Sequence, residues 1–155
     1  MRYILLSTPM SPTVNEYLTV ARGRMIKTSK FRLFERRALD QIKQEIELPQ
    51  YIKQLKEWSK NKVLKVDCYF IFNPEKVFTK TKSAKSWIQR IDVFNRLKPL
   101  HDVIAKATGV DDSFYFEGDT IKATCNSLTE PYILIKISPT NPKTIHDVIR
   151  MIDEE

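Results

Sequence analysis

The stretch VLKVDCYFIF, Val63 to Phe72, constrains the fold of this chain more than any other. Leu64, Val66, Cys68, Phe70 and Phe72 alternate onto one side of an extended chain, while Tyr69 and Ile71 make part of the other side apolar. Successive side chains of a strand point to opposite faces, so a segment of this kind wants cover on both and belongs in the middle of a sheet. The remaining residues must then supply neighbouring strands for its two edges and helices for at least one face.

The flanking sequence offers such elements. Tyr3–Thr8 reads as a short strand closed by Pro9 and Pro12. SPTVNEYLTVARGRMIKT is polar and turn-rich, with Gly23 between Arg22 and Arg24. From Ser29 onward Phe31, Phe34, Ala38, Ile42 and Ile46 recur at helical spacing until Pro49 interrupts the pattern. YIKQLKEWSKNK suits either a second short helix or an irregular link. NPEKVFTKTKSAKSWIQR carries Lys76, Lys80, Lys82, Lys85 and Arg90 against the single acid Glu75, and is expected to form a mobile loop. Asn95–Thr108 is expected as a helix with Pro99 in its first turn and Gly109 at its end. Strands are expected near Phe114–Cys125 and Tyr132–Ile137, and a last helix after Pro142 carries Ile145, Val148, Ile149 and Ile152. Strands and helices interleave without a regular βαβ repeat. The pattern predicts an α+β fold, a mixed β-sheet packed with helices, in a single domain over residues 1–155.

Size and composition agree with that reading. At 155 residues, 42% of them apolar and 29% charged, the chain is long enough to fold around one core without disulfides or a structural metal. Cys68 and Cys125 both fall in apolar strand-like segments and read as two buried thiols rather than a pair. No run approaches the roughly 20 apolar residues of a membrane helix. The opening MRYILLSTPM lacks the length and cleavage site of a signal peptide, so a cytoplasmic protein with no membrane association is expected. Lysine and arginine total 26 against 19 acids, a net charge of +7, which favours a polyanionic partner such as nucleic acid.

The residues richest in chemistry lie in IDVFNRLKPLHDVIAKATGVDDS. At 100° per residue Leu97, Leu100, Val103, Ile104 and Ala107 gather on one side of the expected helix, and Asn95, Lys98 and Asp102 on the other. Asp92 stands just ahead of the helix and Asp111–Asp112 just after it. One face thus offers an amide, an ammonium and a carboxylate, with further carboxylates at both ends. The same pattern also suits a plain solvated face whose flanking acids serve a helix start and a turn. His101 and His146 have no partner pattern and read as surface histidines, and no phosphate-cradling glycine loop is present.

This stretch resembles the signature of RusA-type Holliday junction resolvases, Asp-x-Asp-Asn-x-x-Lys-x-x-x-Asp followed by an Asp-Asp pair. Asp92, Asn95, Lys98 and Asp102 stand at matching positions, Asp111 and Asp112 supply the pair, and Lys122 stands where the family commonly has a lysine on the following strand. PMSPTVNEYLTVARGRMIKTSKF resembles the family's opening through Asn15, Tyr17, Gly23 and Arg24. The resemblance covers most of residues 3–138.

It implies a Mg²⁺-dependent endonuclease, with Mn²⁺ a possible substitute, that resolves four-way DNA junctions as a homodimer by paired phosphodiester nicks. Asp92, Lys98 and Asp112 would be catalytic. Asp92, Asp111 and Asp112 would serve the metal, and Asn95, Asp102 and Lys122 would support them. Arg22, Arg24, Lys27, Lys80, Lys82 and Lys85 are the candidate DNA-binding residues within the basic runs; Phe78 and Trp87 read as loop anchors in preference to side chains that wedge into an opened junction or stack on bases. One departure stands out: Phe94 occupies the place of the family's second Asp and cannot ligate a hard cation. A protein of the same fold that binds branched DNA without cutting it is therefore the alternative.

Overall fold

A computed structural model describes residues 2–21, 23–45, 47–77 and 92–153. Strand β4, Val63–Phe72, lies in the middle of a five-stranded sheet, as its sequence demands. Its neighbours on one side are β7 (Tyr132–Thr140) and then β1 (Ile4–Pro9), both pairings antiparallel. On the other side β5 (Tyr115–Glu117) and β6 (Thr120–Thr124) both run parallel to β4, one after the other along its length. The sheet is mixed and the fold is α+β.

Register converts the alternation of β4 into a core. Val66 pairs with Ile137, Cys68 with Ile135 and Phe70 with Ile133, and β1 continues these rows with Ile4, Leu6 and Thr8. All of these side chains are buried. Full burial of a side chain the size of Ile or Phe stabilises by about 1.5–3 kcal/mol. Helices cover this face. α1 (Ser29–Lys43) packs on β1 and on α4 (Leu97–Thr108), and α2 (Leu48–Trp58) also meets α4. Phe31, Phe34, Ala38 and Ile42 of α1 and Leu100, Val103 and Ile104 of α4 are the buried stripes that the helical spacing predicts. Tyr69 and Ile71, on the opposite face of β4, are only half-buried, so that strand is central without being sealed on both sides.

Several boundaries differ from the sequence reading, each for a local reason. α1 stops at Lys43, where the Gln44 N–H closes the last turn; Ile46 lies outside the described residues. Pro49 then sits in the first turn of α2, a position that needs no N–H donor, so the segment left open is a helix. SPTVNEYLTVARGRMIKT holds a 3₁₀ turn at Val14–Glu16 and a hairpin of β2 (Leu18–Ala21) and β3 (Arg24–Lys27). Gly23 takes a left-handed φ of 71° in that hairpin's tight turn. Pro74–Val77 of the expected loop forms one helical turn, α3, capped by Asn73, whose side-chain oxygen accepts from the Glu75 N–H. The rest of that loop, with Lys80, Lys82, Lys85, Phe78 and Trp87, lies outside the described residues. α5, Ile145–Asp153, follows Pro142 as expected.

Cys68 is buried, which pushes its thiol up to about 12. Cys125 is not: it lies half-exposed just past β6, where the chain turns away from the sheet, its Sγ 3.3 Å from the Ser127 hydroxyl.

The expected strand over Phe114–Cys125 is split at Gly118. The Asp119 carbonyl accepts from the Cys68 N–H at 2.8 Å, and the buried Asp67 carboxylate accepts the Asp119 N–H at 3.0 Å. A Cβ on Gly118 would stand 1.9 Å from the Val66 carbonyl oxygen. Gly118→Ala must therefore push β5 and β6 off β4. The expected loss is about 3 kcal/mol, read as a lower urea midpoint at unchanged slope; a midpoint equal to the parent's would refute the close approach.

Candidate active site

The chain reaches the site through a short-range device. Asp92 precedes a 3₁₀ turn at Phe94–Arg96 that runs directly into α4. Its carboxylate accepts the Asn95 backbone N–H at 3.2 Å and the Asn95 side-chain amide at 2.6 Å. Aspartate holds its own turn in this way because its side chain can stand in for a backbone acceptor. Asn95 thus orients Asp92, while Val93 beside it is buried and anchors the turn. Phe94 points outward and is 69% exposed.

Lys98 lies in the first turn of α4 and is the centre of the cluster. Its ammonium is 2.8 Å from Asp102 Oδ1, one turn on, and 2.7 Å from Asp112 Oδ2. Thr108 lies ten positions beyond Lys98 along the helix, about 15 Å at 1.5 Å per residue. Asp112 reaches back across that length because Gly109 caps α4 in a left-handed conformation, φ 70°, and turns the chain. The chain thus turns back between Gly109 and Asp112, ahead of the next strand. Asp111, beside it, is exposed and caps the following turn by accepting the Ser113 N–H at 2.9 Å, which lowers its pKa.

A residue distant in sequence completes the cluster. Tyr17, at the end of the first 3₁₀ turn, donates its hydroxyl to Asp102 Oδ2. Partial burial and that hydrogen bond push the phenol up to about 12, and Asp102 and Asp112 push the Lys98 ammonium up, so both keep their protons through the neutral range. The Tyr17 ring rests 4.4 Å from that of Phe31, which fixes it to α1. Ser11 and Arg96 exchange contacts beside it. The Ser11 hydroxyl donates to the Arg96 carbonyl at 3.0 Å, and the Arg96 guanidinium donates to the Ser11 carbonyl. The Pro-containing opening is therefore stitched to the Asp92–Asp102 segment at two points, which makes the two blocks of the sequence one site.

Other candidate residues fall differently. His101 is not a surface residue, because α4 turns it inward. Its ring stands edge-on to Tyr115 at 5.3 Å, its Nε2 is buried without a hydrogen-bond partner, and burial lowers its pKa. His146 is exposed, as expected. Lys122 sits on the edge strand β6, in register with Phe70, exposed and in no ion pair among the described residues. Lys27 is drawn to Glu35 at 3.0 Å and lies over the Phe31 ring, while Arg24 is exposed on β3; Arg22 lies outside the described residues. Tyr17 was visible in the sequence only as part of the opening block. Nothing local links it to Asp102, 85 positions away.

A divalent cation needs oxygen ligands converging on one point. Among the described residues no three acidic, histidine or cysteine side chains are so arranged. Phe94 brings no oxygen, Asp111 is engaged by its own turn, and Asp112 is paired with Lys98. Three carboxylates therefore do not converge on one point in this arrangement of the described residues. Asp92 and Asp112 are carboxylates whose outer oxygens remain within reach of solvent.

No curated protein matches the chain. The family model described as Endodeoxyribonuclease RusA matches residues 8–138, most of the chain and all of the site just described. The family's members are divalent-metal-dependent Holliday junction resolvases that act on branched DNA in recombination and repair. With its mixed sheet, its Asp92–Lys98–Asp112 segment and its stitched opening, this chain belongs to the RusA endodeoxyribonuclease family.

Proposed function

We propose that the protein is a Mg²⁺-dependent, structure-selective endonuclease that resolves four-way DNA junctions by paired phosphodiester nicks, with Mn²⁺ as a possible substitute. The observation that carries this reading is the ammonium of Lys98 held between Asp102 and Asp112, six residues along the chain from the Asn95-braced Asp92, within the span matched by the family. Hydrolysis of a phosphodiester builds negative charge on the non-bridging oxygens, and a fixed cation aimed at that charge lowers the barrier. Lys98 has that role. Asp102 and Tyr17 hold it in place, so they are positioning residues. Asp92 and Asp112 are the catalytic carboxylates, with Asp111 beside them, and Lys122 supports from the sheet edge.

Arg24 and Lys27 on the hairpin contact DNA, together with Arg22, Lys80, Lys82 and Lys85. Two symmetric nicks need two sites, so the active species is a homodimer whose two-fold axis matches the junction's. α5 suits the interface: Ile145, Val148, Ile149 and Ile152 form an exposed apolar stripe, and a cavity of about 380 Å³ lined by Phe116, Val148, Met151 and Ile152 lies between it and β5. Ile152→Asp is expected to shift sedimentation from dimer to monomer; an unchanged dimer would place the interface elsewhere.

The exposed Phe94 favours a second reading, a protein of this family that recognises branched DNA and does not cut it. A labelled four-way junction and a matched linear duplex, incubated in Mg²⁺ and in EDTA, decide between them. Paired nicks confined to the junction and abolished by EDTA are expected. Asp92→Asn and Asp112→Asn should each lower the rate by at least about 100-fold, a loss of about 2.7 kcal/mol of barrier lowering. Tight junction binding without nicks would establish the second reading, and Phe94→Asp should then create cleavage where there was none.

Tyr17→Phe supplies a separate check on positioning. It removes a hydrogen bond to a charged acceptor, with an expected stability loss of about 1 kcal/mol after allowance for partial exposure. Its rate should fall at saturating junction while junction affinity stays at the parent value. A parent-like rate would show that Asp102 holds Lys98 without help.

A further inference from the structure

The outward face of α1 has no part in the site described above, yet it is the most cationic helical surface among the described residues. Arg32, Arg36 and Arg37 are all exposed, and none has a carboxylate within 4 Å among the described residues. Nearby acids are already committed: Glu35 binds Lys27 and Lys106, and Glu16 binds Lys30. Asp40, one turn beyond Arg36, also has no cation within 4 Å among the described residues, and it leaves the face with an excess of positive charge. Arg32, Arg36 and Arg37 therefore present to solvent a positive charge that no ion pair among the described residues offsets.

The shape of this face is as informative as its charge. Leu33, 40% exposed, forms a ridge between two open cavities. One, of about 560 Å³, is lined by Lys27, Thr28, Ser29, Arg32 and Arg36. The other, of about 290 Å³, is lined by Lys30, Arg37 and Arg96 over the apolar floor of Met10 and Phe34. Arg96 belongs to the turn that carries Asp92 and Asn95, and its Nε is buried without a partner. The cations are thus strung out from the hairpin, across one full turn of helix, to the edge of the candidate active site. A small phosphate ester would need them converged on one point. A string of this kind suits a polymer with charge at regular intervals.

We infer that α1 seats a duplex arm of the branched substrate, its sugar–phosphate backbone lying along Arg32, Arg36 and Arg37 and passing Arg96 on its way to Asp92. This rests on the junction-resolving reading above and extends it to residues outside the family signature. The contacts are to phosphate, so they position the arm without reading its sequence.

Equilibrium binding of a labelled four-way junction in EDTA, repeated over a range of salt concentrations, tests it. Each phosphate contact on duplex DNA contributes about −0.9 to the slope of log K against log salt. The triple variant R32A/R36A/R37A should flatten the slope by about 2.7 and weaken binding about a hundredfold near 0.1 M salt. R32K/R36K/R37K, which keeps the charge, should retain most of the slope. K53A/K60A/K62A, an equal charge loss from exposed positions outside the site, the hairpin and α5, should leave the slope close to the parent's. A parent-like slope in the α1 alanine variant, or an equal loss in both alanine variants, would overturn the assignment. A parent protein that binds no junction at low salt would overturn the resolvase reading as well, and so separates the two failures.

Discussion

Hydrogen bonding along both edges of β4 is the constraint from which the rest of this structure follows. With β7 on one side and β5 and β6 on the other, the alternation of Leu64, Val66, Cys68 and Phe70 becomes a continuous apolar surface with Ile133, Ile135 and Ile137. α4 must lie on that surface to bury Leu100, Val103 and Ile104. Once its apolar stripe is turned down, Lys98 and Asp102 have to face up, and the chain emerging from Gly109 carries Asp112 to them. The polar cluster exists because the opposite side of the same helix is committed to the core. A slip of one residue in the register of β4 would reverse its faces and remove the seat of α4.

The cluster contributes little to stability. Lys98 is more than half exposed, and ion pairs in that setting are worth about 0–1 kcal/mol. Its value lies in geometry: two carboxylates and a phenol hold one ammonium where a free lysine would sample many rotamers. The opening segment matters for the same reason. Ser11, Tyr17 and Arg96 tie the first 3₁₀ turn and the site turn together, so the cluster inherits the rigidity of α1 through the Tyr17–Phe31 contact. Cutting or loosening residues 11–17 would therefore reach the site without removing any of its charged groups.

What the sequence revealed divides along the range of the interactions involved. β4, α1 and α4 were legible because burial imposes a period on the residues themselves. The Asn95–Asp92 brace was legible too, being three positions apart. The hairpin of β2 and β3 was not, because Leu18, Val20, Met25 and Ile26 are all exposed and the strands have no buried face to impose a pattern. The break at Gly118 and the inward turn of His101 depend on Val66 and Tyr115, which no local pattern identifies. The family signature directed attention to Lys98 and Asp112, but the Tyr17 contact and the basic ridge of α1 are products of folding.

Position 94 shows where fold and chemistry come apart. The turn that carries it is fixed on one side by the buried Val93 and on the other by the Asp92–Asn95 hydrogen bonds. Phe94 itself faces solvent and contributes neither a core contact nor a cap. An aspartate there would meet the same backbone and the same water, so the residue present is not dictated by folding. Asp92 and Tyr17 differ in kind, since each carries a structural bond and a place in the site at once. Any effect of changing Phe94 therefore reports on chemistry alone, whereas effects at Asp92 or Tyr17 must first be corrected for what they do to the turn or to the clamp.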